Sequence, residues 1–469
     1  MLAVGFYFMR RNKDIDDYYV GGRGMSSGHI GLSVVATDVG GGFSIGLGGL
    51  GFAIGLAGSW MLFTGLVGAW LSAYFLIPKI FGLLRRHKLF TFPEVFYHLF
   101  NARVAFLAAL VSAIGYIGFT GAQILAGAKL ATATFPDLGL QPAVWIMGLT
   151  AVVYTVFGGL KAVIYTDTVQ WIILMAGLIF IGIPMSYFAV GGYEAIKATL
   201  DPSFFNVFNL SWVDLFNWAL TIIPIWFIGM TLYQRIYASR DEKTARKAWF
   251  LAGIFEWPIM AFMGVLLGLF ARVALQQGMF DEMGYTDLAS IDAEMGLPLL
   301  LRSILPVGLM GLMMSAYFSA IMSTADSCLM AASGNVLTDI IGRYTNLSEH
   351  KLLRYSQYVT FGIGALSLLL ATQMNNVLDL MLMSYSFMVS GLFVPLLAAL
   401  FFKQKSSLAA WWSILVGGGT TLSLEILIVN NSLQIPLGLN PNLFGITASL
   451  ITYFSIAKYK SNELSTYRG

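Results

Sequence analysis

Apolar runs of about twenty residues recur along this chain, joined by short polar connections. They fall at about 28–55, 57–84, 104–133, 141–159, 162–190, 211–238, 247–277, 297–337, 353–373, 377–402, 407–430 and 436–457. Each is long enough to cross a bilayer as a helix, which takes roughly 20 residues. Composition agrees: 57% of the 469 residues are hydrophobic and only 11% are charged, against about 25% charged in a soluble domain. The chain is therefore an all-α polytopic membrane protein. Its 50 glycines suit close helix packing in lipid.

Residues 1–9 form a shorter apolar stretch followed by Arg10 and Arg11. It is too short to span, and its charges follow the apolar run, so it is no signal peptide. We expect the end of a truncated first helix, which makes about thirteen transmembrane helices. One cysteine, Cys328, excludes an internal disulfide and a multi-cysteine metal site. The basic residues are spread over many loops, so no nucleic-acid partner is expected.

Orientation follows from Lys and Arg placement. With the loop after the stub inside, 23 of the 27 basic residues fall on the inner side, Arg235 counted among them; Lys129, Lys197, Arg272 and Arg302 remain outside. The N-terminus is then outside and the C-terminus cytoplasmic, in a multi-pass protein of the plasma membrane. The segment 85–103 reads as an amphipathic connector and 278–296 as an acidic loop. The four histidines are too dispersed in sequence for a metal or catalytic cluster.

Two halves emerge. Residues 1–27 hold the truncated helix and a cytoplasmic loop, and 28–190 a first five-helix repeat. An extracellular connection at 191–210 leads to a second five-helix repeat, 211–403. Two flanking helices and a tail occupy 404–469. An odd helix number per repeat inverts one half against the other. Each half opens on a helix that carries breakers: Gly40, Gly41 and Gly42 in the first, Pro224 and Gly229 in the second. Inverted repeats with discontinuous leading helices place a binding site between them.

The chemistry concentrates in two stretches, Ala36–Gly42 and Ala320–Ser327. Unwound backbone at membrane depth is tolerated only where protein or a water-filled cavity surrounds it, and ionisable groups there mark function. Positions 320, 323, 324 and 327 share one helix face, so Ala320 offers a carbonyl beside the hydroxyls of Ser323, Thr324 and Ser327. Sodium seeks about five or six such oxygens, some from a broken helix. The alternative is that these hydroxyls only bond back to the preceding turn. Asp38 stands mid-span beside the glycines with no basic residue nearby in sequence, which suits an ion or an amine. Asp167 reads equally as a helix cap or as part of an inner ion path. Tyr116, Gln123, Trp226 and Tyr385 are mid-span and could line a pocket or pack the core.

Several marks in order resemble one family. They are Val20-Gly21-Gly22-Arg23, the Ala36–Gly42 break, Gly158-Gly159-Leu160-Lys161-Ala162-Val163 with Tyr165-Thr166-Asp167, Gln234-Arg235, and Ala320 through Ser327. Together they resemble the solute–sodium symporters, nearest in motif to the choline and proline carriers. The resemblance implies a LeuT-like five-plus-five inverted-repeat core with flanking helices. It implies a sodium site on Ala36, Val39, Ala320, Ser323 and Thr324, and in some members a second on Asp167, Asp326 and Ser327. It further suggests Asp38, Gly40, Gly41, Gly42, Tyr116, Gln123, Trp226 and Tyr385 for substrate. The positions matching the choline carriers' aromatic cage are Asp38, Val67 and Gly229, none aromatic, and the sugar-binding pattern is absent. A compact amine or amino acid is the expected solute. The function implied is sodium-coupled symport by alternating access, with Na⁺ the coupling ion, no cofactor, and a monomer sufficient. A sensor that keeps a transporter fold is the alternative. No nucleophile–base pair or metal cluster suggests an enzyme.

Overall fold

The computed structural model describes residues 23–38, 40–135, 137–345, 349–402, 405–430 and 432–466. Within these, side chains are described except at 38, 40–41, 43, 157–168, 344, 349–350, 352–353 and 460–466. The described chain is helical, with no strand beyond one bridge between Met25 and Ser239. The first half comprises α1 (Ser27–Asp38), α2 (Gly40–Ile54), α3 (Trp60–Leu71), α4 (Ile77–Leu84), α5 (Pro93–Leu99), α6 (Ala102–Thr134), α7 (Leu140–Gly177) and α8 (Ile183–Ala189). After the short α9 (Gly192–Thr199) come α10 (Trp212–Ile228), α11 (Met230–Ala238), α12 (Glu242–Ile254) and α13 (Ala261–Gln276). Next are α14 (Gly296–Ile304), α15 (Val307–Gly334), α16 (Glu349–Ala371) and α17 (Val377–Phe401). Two flanking helices, α18 (Ser407–Val429) and α19 (Pro441–Thr466), close the described chain.

Helix starts carry the side chains that helix ends need. Asn101 accepts from Val104 N, Ser211 from Val213 N, Asp241 from Thr244 N and Asn376 from Asp379 N. Widened π turns at Ser72–Leu76 and Leu178–Gly182 lie two residues ahead of Pro78 and Pro184, and Phe255–Met260, which contains Pro258, is a kink where the Trp257 backbone is extended at φ −137°, ψ 125°. A proline removes one ladder hydrogen bond and crowds the turn before it, so the helix widens there. The π turn Asn335–Ile341 has no proline. It carries Asn335, bonded to Ser112 at 2.8 Å, and Asp339, which accepts from Thr91 at 2.6 Å and Arg343 at 3.2 Å.

Among the described residues seven helices are long and apolar enough to span, and the pair α10–α11, bent by 41°, makes an eighth. This count does not establish the thirteen crossings expected. The spans expected at 141–159 and 162–190 are joined by helical backbone rather than by a loop, with apolar segments at Leu140–Val156 and Val169–Ala189. One expected interruption falls within the described residues. The helical segments α1 and α2 run to Asp38 and from Gly40, and Val39 between them lies outside the described residues, as does any interruption there. α10 gives way to α11 at Gly229, whose backbone is extended at φ −64°, ψ 115°.

Two expectations are corrected. Arg235, counted with the inner loops, lies inside α11 and is 0% exposed; its neighbours in sequence are apolar enough to continue the span. His87 and His98, though eleven positions apart, stack at 3.7 Å because the turn into α5 folds the connector back on itself, a pair that makes no metal or catalytic cluster among the described residues. Burial, then His87, lowers the His98 imidazole pKa. The acidic stretch 278–296 is no free loop at its end: Asp292 and Glu294 grip the buried Lys129. Glu294 also accepts the amides of Val377 and Leu378 at 2.9 Å, capping α17.

Candidate functional site

The two chemistry-bearing stretches meet. Thr324 Oγ1 on α15 lies 3.1 Å from Ala36 O, near the end of α1, and 3.2 Å from Ala320 O one turn earlier. Two carbonyls and a hydroxyl from segments 288 positions apart thus converge near the end of α1. Ser323 is 3% exposed, and its hydroxyl oxygen has no hydrogen-bond partner. A buried hydroxyl without a partner is uncommon and suits a site that takes a ligand or ion. The donor set, carbonyls and hydroxyls, is the kind a hard monovalent cation takes.

α6 bonds to α2 and to α11 near their starts. Gln123 Oε1 accepts from Gly42 N at 3.1 Å, in the first turn of α2. Tyr116 Oη accepts from Thr231 N at 3.1 Å and lies 3.0 Å from Thr231 Oγ1, in the first turn of α11. Residues 116 and 123 are two turns apart on one face of α6. Each supplies an oxygen to amides that a helix start leaves unbonded. Gly42 is required for this approach, because a Cβ there would fall 2.5 Å from the Gln123 amide. Gln123→Leu is expected to strand the Gly42 amide and to cost about 1–3 kcal/mol. Thermal unfolding of the purified variant checks this; unchanged stability would mean the cap contributes nothing.

Arg235 ties the inner halves together. From α11 its guanidinium donates to Ser33 at 3.3 Å and Thr37 at 2.7 Å on α1, to Ser327 at 2.8 Å on α15, and to Thr231 O at 3.3 Å. Close by, Met25 N donates to Ala238 O at 3.1 Å and Arg240 N to Met25 O at 3.3 Å, pinning the start of α1 to the end of α11.

The remaining expected residues separate. Asp326 accepts from Thr155 on α7, while Ser327 is taken by Arg235, so these neighbours face different helices. Asp167 lies in α7 and Asp38 ends α1, and both side chains fall outside the described residues. Gly40 and Gly41 open α2. Tyr385 packs 5.0 Å from Phe119, which lies 6.4 Å from Tyr116, forming an aromatic row between α6 and α17. Trp226 is placed apart: it packs on Gly68 and edge-on to Trp249 at 6.3 Å, filling core between α3, α10 and α12.

One carboxylate was not anticipated. Glu256 is 0% exposed, in the π turn between α12 and α13. This pair of helices runs parallel to α1–α2: Gly31 packs on Ala248, Gly264 on Leu47 and Gly268 on Gly48. The register brings Glu256 to the level of residues 38–40. Only a glycine fits opposite it, since a Cβ on Gly65 would collide with the carboxylate. Its signal was available, as a lone acid within the apolar run 247–277.

The sequence model of the sodium:solute symporter family matches residues 18–417. The chain belongs to that family. This symporter is a multi-pass membrane protein and a sodium-coupled transporter of a small organic solute, not an enzyme. It is 27% identical to the high-affinity proline transporter PutP of Bacillus subtilis, over 97% of this chain and 95% of that protein. It is 23% identical to the sodium/pantothenate symporter of Escherichia coli, over 97% and 93%. The substrate-bound, outward-open structure of a Na⁺-coupled sialic acid symporter superposes on this symporter with a TM-score of 0.78, at 23% identity, covering 98% of this chain and 95% of that one.

Proposed function

We propose that this symporter imports a small amine or amino acid with sodium by alternating access. The observation that carries the reading is the meeting of Ala36 O, Ala320 O and Thr324 Oγ1 beside the unpartnered Ser323 hydroxyl. Sodium there would exchange the weak Thr324–carbonyl contacts for direct ligation, with Val39 adding a backbone oxygen. It would hold α1 against α15, and its departure would let α1 swing with α11, to which Arg235 and the Met25 bridge fasten it. Such coupling is reciprocal: sodium raises solute affinity and solute raises sodium affinity.

A second ion on Asp167 and Asp326 fits this scheme, but Ser327 fits it less well, since the guanidinium 2.8 Å away repels a cation. For the solute, the glycine-lined opening of α2, with Asp38 beside it and the aromatic row of Tyr116, Phe119 and Tyr385 near, suits a compact molecule carrying an ammonium group. Gln123 and Tyr116 act there mainly by holding the half-helices. Resemblance to a proline transporter over nearly the whole chain supports an amino acid. The protein works as a monomer in the plasma membrane, with the N-terminus outside, the C-terminus cytoplasmic and no cofactor.

Uptake into proteoliposomes over a panel of amino acids, amines and organic acids tests the substrate class. Transport of at least one ammonium-bearing solute is expected, with loss in Asp38→Asn. Uptake of an anionic or neutral solute alone, undiminished by that substitution, refutes it.

A further inference from the structure

Pro224 does not end its helix: α10 runs through it from Trp212 to Ile228. A proline has no N–H to give the carbonyl one turn earlier, here that of Leu220. In a membrane-spanning helix the carbonyl so freed needs a donor from elsewhere in the protein. That donor comes from outside the two repeats. Asn442, in the first turn of α19 and 0% exposed, donates through Nδ2 to Leu220 O at 3.1 Å, and the same nitrogen lies 3.2 Å from Thr221 Oγ1. A carbonyl only accepts, so the amide nitrogen has to be the atom that faces it. Asn442 Oδ1 then turns to α17, 2.9 Å from Ser390 Oγ, which lies 2.6 Å from Thr421 Oγ1 on α18.

A second tie lies on the same face of α10, one turn earlier. Asn217 donates to Gly438 O at 2.8 Å and accepts from Asn440 N at 3.0 Å, just ahead of α19. The helices beyond are in close contact. A Cβ on Gly417 of α18 would collide with Ser390 O of α17, and one on Gly445 of α19 with Thr421 of α18. α10 is thus bonded into a packed body made of α17, α18 and α19. Across Gly229, α11 is bonded instead to α1 through Arg235 and to α6 through Tyr116.

We infer that Asn442 is a positioning residue for transport: it supplies the donor that Pro224 removes, fixes α10 to the flanking helices, and leaves Gly229 as the hinge about which α11 turns. An unbroken hydrogen-bond ladder would hold α10 by itself. The proline makes its hold depend on α19, so the flanking helices are part of the machinery that the two half-helices move against.

Hydrogen exchange of the purified full chain, read by mass spectrometry on peptides covering α10, tests this. Asn442→Leu is expected to speed exchange there by about tenfold, the factor that leaving one buried carbonyl without its donor is worth. Pro224→Ala restores the missing N–H, so adding Asn442→Leu to it should speed exchange by less than about threefold. A leucine variant that folds only in the alanine background gives the same result as a rescue. Affinity for ²²Na⁺ should stay within about twofold of wild type, because the proposed ligands lie on α1 and α15, while uptake of a radiolabelled amino-acid mixture falls by about fivefold or more. The uptake arm rests on the amino-acid reading of the solute: a wild type that takes up none of the mixture refutes that reading, and the exchange cycle still decides this one. Unchanged exchange in Asn442→Leu, an equal effect in both backgrounds, or full uptake by the variant would each overturn the inference.

Discussion

Arg235→Met is expected to destabilise this carrier by about 3 kcal/mol or more and to abolish uptake. The guanidinium is fully buried and donates to three hydroxyls and one carbonyl on three helices. Methionine keeps an unbranched apolar stem but is shorter and leaves those oxygens without their donor, each worth about 1–3 kcal/mol when buried. The loss also uncouples α1 from α11, the two half-helices that the proposed transport cycle moves together. Arg235→Lys separates the two effects. It keeps the charge, but one ammonium cannot reach Ser33, Thr37 and Ser327 in the planar fork a guanidinium offers. The lysine variant should fold closer to wild type and still transport poorly. Thermal unfolding and uptake, read on both variants, check this. Full uptake and a wild-type unfolding temperature in the methionine variant would show that the bonds do not hold the helices.

Ser323→Ala combined with Thr324→Ala should leave the protein folded and raise the sodium needed for half-maximal uptake by at least tenfold. Losing one oxygen that faces a charge costs about 1.5–3 kcal/mol, and 1.4 kcal/mol is about tenfold in affinity. The fold should survive because Ser323 Oγ bonds nothing and Thr324 Oγ1 makes only long contacts of 3.1 and 3.2 Å. Unchanged sodium dependence in a folded variant would count against the site.

The helix breaks were legible because glycine and proline disrupt helices for local reasons. Gly229 marks an interruption that the structure contains, while Gly40 to Gly42 fall in helical backbone directly after Val39, which lies outside the described residues. The convergence of Thr324 with Ala320 was legible from four-residue spacing alone, and its meeting with Ala36 followed from the family resemblance. Arg235 was misplaced because Arg240, Lys243 and Arg246 follow it closely and charge patterning cannot tell a buried guanidinium from a solvated one. The capping roles of Tyr116 and Gln123 were hidden for a different reason. Their partners, Thr231 and Gly42, lie 115 and 81 positions away, and only the fold brings them together. Trp226 was an aromatic at membrane depth, and depth alone does not say which way an indole turns. The Lys129–Glu294 contact, 165 positions apart, was equally out of reach of local spacing.

Direct measurement of ²²Na⁺ binding to the purified protein, wild type beside Thr324→Val, tests the account at its centre. Saturable binding by the wild type and its loss in the valine variant, whose shape differs only by a methyl for a hydroxyl, is the predicted result. Equal sodium affinity in the two proteins would place the ion elsewhere and contradict the account.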